Sequence, residues 1–123
     1  MITEDYVSFE TAKLLKEKGF DDFTCHSYYY KNGDIEEETR YEGDFGRPTL
    51  QMAMKWLRKE HGLHCHSDYD IVLGWYCQIT SLTETVEYDY EEMKHYHPDK
   101  DSGFSSPEEA CENAIKYCLE NFV

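Results

Sequence analysis

Basic residues are scarce in this chain: 12 lysines and arginines stand against 26 aspartates and glutamates, for a formal net charge of −14. A surface so short of cations is unsuited to wrapping a phosphate backbone, so no direct nucleic-acid binding is expected. Long hydrophobic runs are missing as well. The longest, Ile71 to Cys77, is far too short to cross a bilayer, and no membrane role is expected. The opening residues Met1 to Asp5 lack the basic and apolar regions of a secretory signal, which points to the cytoplasm. No pair of cysteines has CxxC spacing. The five present (Cys25, Cys65, Cys77, Cys111 and Cys118) are an odd number, the usage expected of thiols in a reducing compartment. Glycine-rich phosphate loops, a nucleophile elbow and an HExxH helix are also absent. No cofactor is therefore implied, and catalysis is disfavoured.

What is present describes one globular domain, residues 1–123, with 40% hydrophobic and 15% aromatic residues. That length buries a core without disulfide staples. The acid excess suits solubility, a cationic partner, or imitation of nucleic acid.

The stretch Thr49 to Gly62 reads as the central helix. Thr49 is its cap, and Leu50, Ala53, Met54 and Leu57 recur at the spacing of one helical face. Met52 and Trp56 widen that face, and Gly62-Leu63 reads as a left-handed stop. An earlier helix has the same grammar: Ser8 caps it, Phe9, Ala12 and Leu15 share a face, and Gly19-Phe20 ends it. The repetition is compatible with an internal duplication. The last helix carries a capping box, with Ser106 as cap, Pro107 first and Glu109 third, followed by a stripe of Cys111, Ala114, Ile115 and Cys118.

Between the helices lie strands. Asn32-Gly33 predicts a two-residue type I′ turn within Asp22 to Tyr41, with Tyr30 opposite Ile35, Tyr28 opposite Glu37 and Thr24 opposite Tyr41. Tyr28, Tyr30, Ile35 and Tyr41 then face the core, and Phe23, Cys25 and Tyr29 join Glu36, Glu38 and Arg40 outside. Gly43 to Pro48 reads as a loop. Leu63 to His66 predicts a brief strand turned by Ser67 to Asp70. Ile71 to Thr80 predicts a longer strand, with Thr85 to Tyr90 as its antiparallel partner. Glu91 to Ser105 reads as a polar loop. The expected fold is α+β: an antiparallel sheet of four to five strands with three helices, in the order α-ββ-α-ββ-α.

The central segment Thr49 to Arg58, the opening Tyr6 to Glu10 and the ending Ser106 to Phe122 resemble a family of small hypothetical proteins. These are accessory products of phages and mobile elements in gut bacteria of the Bacteroides group. The resemblance covers the helices, about half of the chain. It implies an accessory role and brings no catalytic residue with it.

Two constellations stand out. His61, His64, Cys65 and His66, with Cys25 if the strands pair, form a candidate metal or catalytic cluster. His64 and His66 would share one strand face, and a second His-x-His lies at His95 and His97. Structural zinc asks for tetrahedral sets of four, which these pairs do not supply. The other is an acidic, tyrosine-rich hairpin. Tyr29, Glu36, Glu38 and Glu42 are its candidate contact residues, with the ring as apolar anchor and the carboxylates as a lure for a basic protein surface. Self-pairing into a homodimer through an edge strand or tyrosine face is a further option. The reading favoured by the sequence is thus a protein-binding accessory protein. Its alternative is a metal protein or enzyme built on the histidine and cysteine cluster.

Overall fold

The computed structural model describes residues 2–21, 25–37, 41–72, 74–82, 87–88 and 103–123. Three helices carry the fold: α1 (Phe9–Glu17), α2 (Leu50–His61) and α3 (Pro107–Asn121). The strands are β1 (Ser27–Tyr29), β2 (Ile35–Glu37), β3 (Phe45–Gly46), β4 (Leu63–Asp70), β5 (Gly74–Ser81) and β6 (Glu87–Tyr88). They form two antiparallel sheets, ordered β2-β1-β3 and β4-β5-β6. The α+β class is the one expected, with the strands divided between two sheets. The two sheets differ in strand order, so the grammar shared by α1 and α2 is not matched by a repeated sheet.

Local chemistry sets the helix ends. The Ser8 hydroxyl accepts from the Thr11 N–H, Thr49 from Met52 and Ser106 from Glu109, each satisfying a donor the helix leaves orphaned. At the far end of α1, the Phe20 N–H reaches the Leu15 carbonyl at 2.9 Å and Gly19 reaches Lys16 at 3.2 Å. This is a Schellman closure, with Gly19 at φ 97°. In α2, Leu50, Ala53, Met54 and Leu57 are buried as the spacing predicts, while Met52 lies at the exposed margin. Gly62 takes a left-handed φ of 63°.

Helix α3 takes the most central position. It packs on α1, α2, β4 and β5, whereas the principal neighbours of α2 are β4 and α3. Contact on several sides explains its wide buried arc of Ala110, Ala114, Ile115, Tyr117, Cys118 and Leu119. Cys111, expected within the buried stripe, sits at its half-exposed margin. A carboxylate of α3 also caps α1: Glu112 Oε1 accepts from the Ser8 N–H at 2.9 Å and the buried Thr11 hydroxyl at 2.7 Å. The N-terminal arm is tied to the entry of α2 by Val7 N–H to Pro48 O at 3.1 Å and Leu50 N–H to Asp5 O at 2.9 Å.

The second hairpin departs from its expected outline. Ser67 to Asp70 continue β4, and the turn falls at Ile71 and Val72 instead. Asp70 Oδ1 accepts from the Val72 N–H at 2.8 Å, and Gly74 adopts φ 95°. Asx-type bonding and a positive-φ glycine therefore override the strand preference of two β-branched residues, which are left 90% and 86% exposed. Of the expected partner strand Thr85 to Tyr90, Glu87–Tyr88 lie within the described residues and pair antiparallel with β5 as β6. Of the expected polar loop, Gly103 to Ser105 lie within the described residues, and buried Phe104 bridges Trp75.

Candidate functional site

The first hairpin is shifted by one residue from the expected register. Tyr29 lies opposite Ile35, Tyr28 opposite Glu36 and Ser27 opposite Glu37; Thr24 lies outside the described residues. The connection is a three-residue loop instead of a type I′ pair. The Gly33 N–H donates to the Tyr30 carbonyl at 2.9 Å and the Tyr30 N–H to the Asp34 carbonyl at 2.8 Å. Gly33, at φ 93°, then occupies the bulge position that follows a type I turn. The Asn32 side-chain oxygen accepts from the Asp34 N–H at 3.0 Å, a bond that holds this longer loop.

A one-residue slip exchanges faces. Tyr29, expected outside as an anchor, is buried. Its hydroxyl donates to the Val7 carbonyl at 2.6 Å and its ring meets Phe9 edge-on at 5.5 Å. The register puts it with Ile35 and Glu37, so Tyr29 and Glu36 do not share an outer face. Strand β1 is buried along its length and lies between β2 and β3, β3 being a strand within the expected Gly43 to Pro48 loop. Ile35 and Tyr41, expected in the core, are 51% and 56% exposed. Glu38 lies outside the described residues, and Glu42 is exposed.

What the hairpin does assemble is a tyrosine pair beside acid. Tyr30 and Tyr41 stack with centroids 6.4 Å apart and planes 20° from parallel. The Tyr30 hydroxyl donates to Glu36 in a short hydrogen bond. That bond, reinforced by burial and by the negative charge of Glu36, pushes the Tyr30 pKa up to about 12. Asp44 turns inward to accept from the Tyr41 N–H at 2.9 Å. On the other face Arg47 lies 3.9 Å above the Tyr6 ring, donates to the Ser27 hydroxyl at 3.0 Å and stands 3.7 Å from Glu37. The sequence reading missed Arg47. A lone cation entering a helix gives no sign that it will be roofed by aromatics.

The histidine and cysteine set is only partly brought together. His64 and His66 share a face of β4 as predicted, with rings 5.5 Å apart and 20° from parallel. Burial, then His66 and Arg58, hold His64 below the ordinary histidine pKa. Cys65 projects to the opposite face, where its sulfur lies 3.7 Å from that of Cys118. His61 packs on Trp56 at 4.7 Å, and buried Cys25 precedes the other sheet. Among the described residues no group of three or more histidine, cysteine or acidic side chains is placed to hold a metal. His95 and His97 lie outside them. No disulfide joins any of the five cysteines. Burial raises the Cys77 thiol well above its usual range, and the hydrogen bond with Cys65 followed by burial does the same for Cys118. Groups so held are poor nucleophiles and poor metal ligands.

Comparison of the chain with protein-family models, curated proteins and solved structures gives no match in any of the three. Among the described residues, no helix is long and apolar enough to cross a membrane.

Proposed function

We propose that this chain is a non-enzymatic accessory protein of mobile-element origin that acts in the cytoplasm by binding a protein partner with a basic surface. The observation that carries the reading is the stacked Tyr30–Tyr41 pair, half open to solvent and bonded to Glu36, with exposed Glu42 next to Tyr41 in the chain. Tyrosine contributes large contact area at low entropy cost, and adjacent carboxylates steer a cationic patch towards it. Tyr41, not the buried Tyr29, is the exposed anchor, and Glu36 and Glu42 remain the charged contacts. Strand β2 is an edge of its sheet among the described residues, at the same corner as the tyrosine pair.

The test is affinity capture from the source organism with wild-type protein, followed by measured association with each captured basic protein. Tyr41→Ser is expected to speed dissociation about tenfold, the effect of one central aromatic anchor. Reversing Glu36 and Glu42 to lysine should slow association and flatten its salt dependence, with folding of each variant checked by melting because Glu36 also holds Tyr30. A partner that binds all three variants as tightly as wild type removes the site. Capture of acidic proteins alone would remove the partner class.

A further inference from the structure

A cleft of about 290 Å³ runs along β4 between α2 and α3. Gln51 and Arg58 enter it from α2, His64, His66 and Ser67 from β4, and Cys111 from α3. In a chain with 26 acidic residues, no carboxylate lines this cleft among the described residues. Arg58 makes no side-chain hydrogen bond or ion pair with another described residue. Nδ1 of His66 is shielded from solvent and lacks a hydrogen-bond partner. The half-exposed Arg58 guanidinium is free to receive a ligand from solvent, and the shielded, unsatisfied imidazole nitrogen beside it is costly unless something completes it.

We propose that Arg58, His64 and His66 form a binding site for the oxyanion of a small ligand, a phosphate monoester or a carboxylate. The guanidinium supplies a planar fork for two oxygens, the stacked imidazoles supply N–H donors, and His64 gains a proton as the anion arrives. The cluster on Arg58 repels a cation, which disfavours the metal reading of the same histidines. The net charge of the molecule repels a polyanion at long range. A compact anion meets its partners well inside a Debye length, where that field matters least.

The surroundings fix the sign of the pH dependence. Across the ladder, His64 faces Thr80 and His66 faces Gln78, neither charged. From α3 comes Cys111, raised chiefly by burial, bonded by the Ser67 hydroxyl and also raised by the negative charge of Glu108 one turn away. Glu4, Asp5 and Glu108 line the adjoining cleft, not this one. Binding therefore strengthens as pH falls and His64 charges.

The experiment follows the ring protons of His64 and His66 by NMR while inorganic phosphate, or separately acetate, is titrated against a chloride control. Saturable shifts at both rings are expected, with the His64 midpoint moving up. Arg58→Gln should weaken binding about tenfold or more, the scale of one lost charge-assisted fork, with His66→Asn as a second variant and both checked by melting. Response to phosphate alone assigns a phosphate ligand, and response to acetate alone assigns a carboxylate. Shifts that match chloride, or that persist unchanged in Arg58→Gln, overturn the site. So does stoichiometric zinc perturbing both rings where neither anion does.

Discussion

Tyr30 shows how one hydrogen bond becomes a pH dependence. Its ordinary value of 10.0 is raised to about 12 by the Glu36 carboxylate, so the folded state keeps a proton that the unfolded chain releases. The stabilisation is fully present below about pH 10 and is lost as pH rises through about 12. Ultraviolet titration of tyrosinate should show one late-titrating ring that disappears in Tyr30→Phe. The histidine on β4 behaves with the opposite sign. His64 is held below the ordinary value by burial, His66 and Arg58, so the unfolded chain binds its proton first. That contribution is present above the unfolded histidine pKa, about 6.5, and fades as pH falls through the folded value. His64→Gln should flatten the melting temperature against pH on the acid side in chloride buffer. The sequence located both residues but neither shift. Tyr30 meets Glu36 through a register set by the loop, and Arg58 reaches His64 only once α2 packs beside β4.

At the scale of elements, what was legible is what short-range chemistry decides. Ser8, Thr49 and Ser106 each cap the helix they were expected to cap, because a cap depends on residues within one turn. Registers and turns were less legible. Asn32-Gly33 suits a two-residue loop, yet the same pair serves a three-residue loop when Asn32 closes onto Asp34. Nothing local separates them until Phe9 packs beneath the turn. A Cβ at position 33 would stand 3.2 Å from the Phe9 ring at a φ of 93°. Gly33→Val is therefore expected to cost more than about 1 kcal/mol, read by denaturant unfolding. The cap on α1 makes the matching case at long range. Glu112 does from α3 what a third-position glutamate does within its own helix, a role that no spacing could reveal. Glu112→Ala should cost about 1–3 kcal/mol, chiefly because it removes the acceptor of the buried Thr11 hydroxyl, while water can replace it at the exposed Ser8 N–H. Exposed Lys116–Glu10, at 2.9 Å between the same helices, should contribute at most about 1 kcal/mol. A Glu112→Ala loss no larger than that of Glu10→Ala would refute the cap.

For the whole molecule the governing quantity is the charge of −14, and it acts on folding and on binding with opposite signs. Like charges held together in the compact state repel one another, so screening favours the fold. Attraction between this surface and a basic partner is screened by the same ions, so it weakens. The Debye length falls from about 30 Å at 0.01 M to about 8 Å at 0.15 M. The first length spans much of a small domain, while the second reaches only near neighbours. Over that range the melting temperature should rise by about 2 °C or more in sodium chloride. Association with a basic partner should slow over the same range. The cleft on β4, with no carboxylate among its described lining residues, provides an internal contrast, because its contacts with a small anion are shorter than either length. Oxyanion affinity there should change less with salt than the partner association rate does. Melting that is flat or falling with salt would mean that the acids are already neutralised in the folded state. The surplus charge would then have no force with which to steer a partner to Tyr41, Glu36 and Glu42.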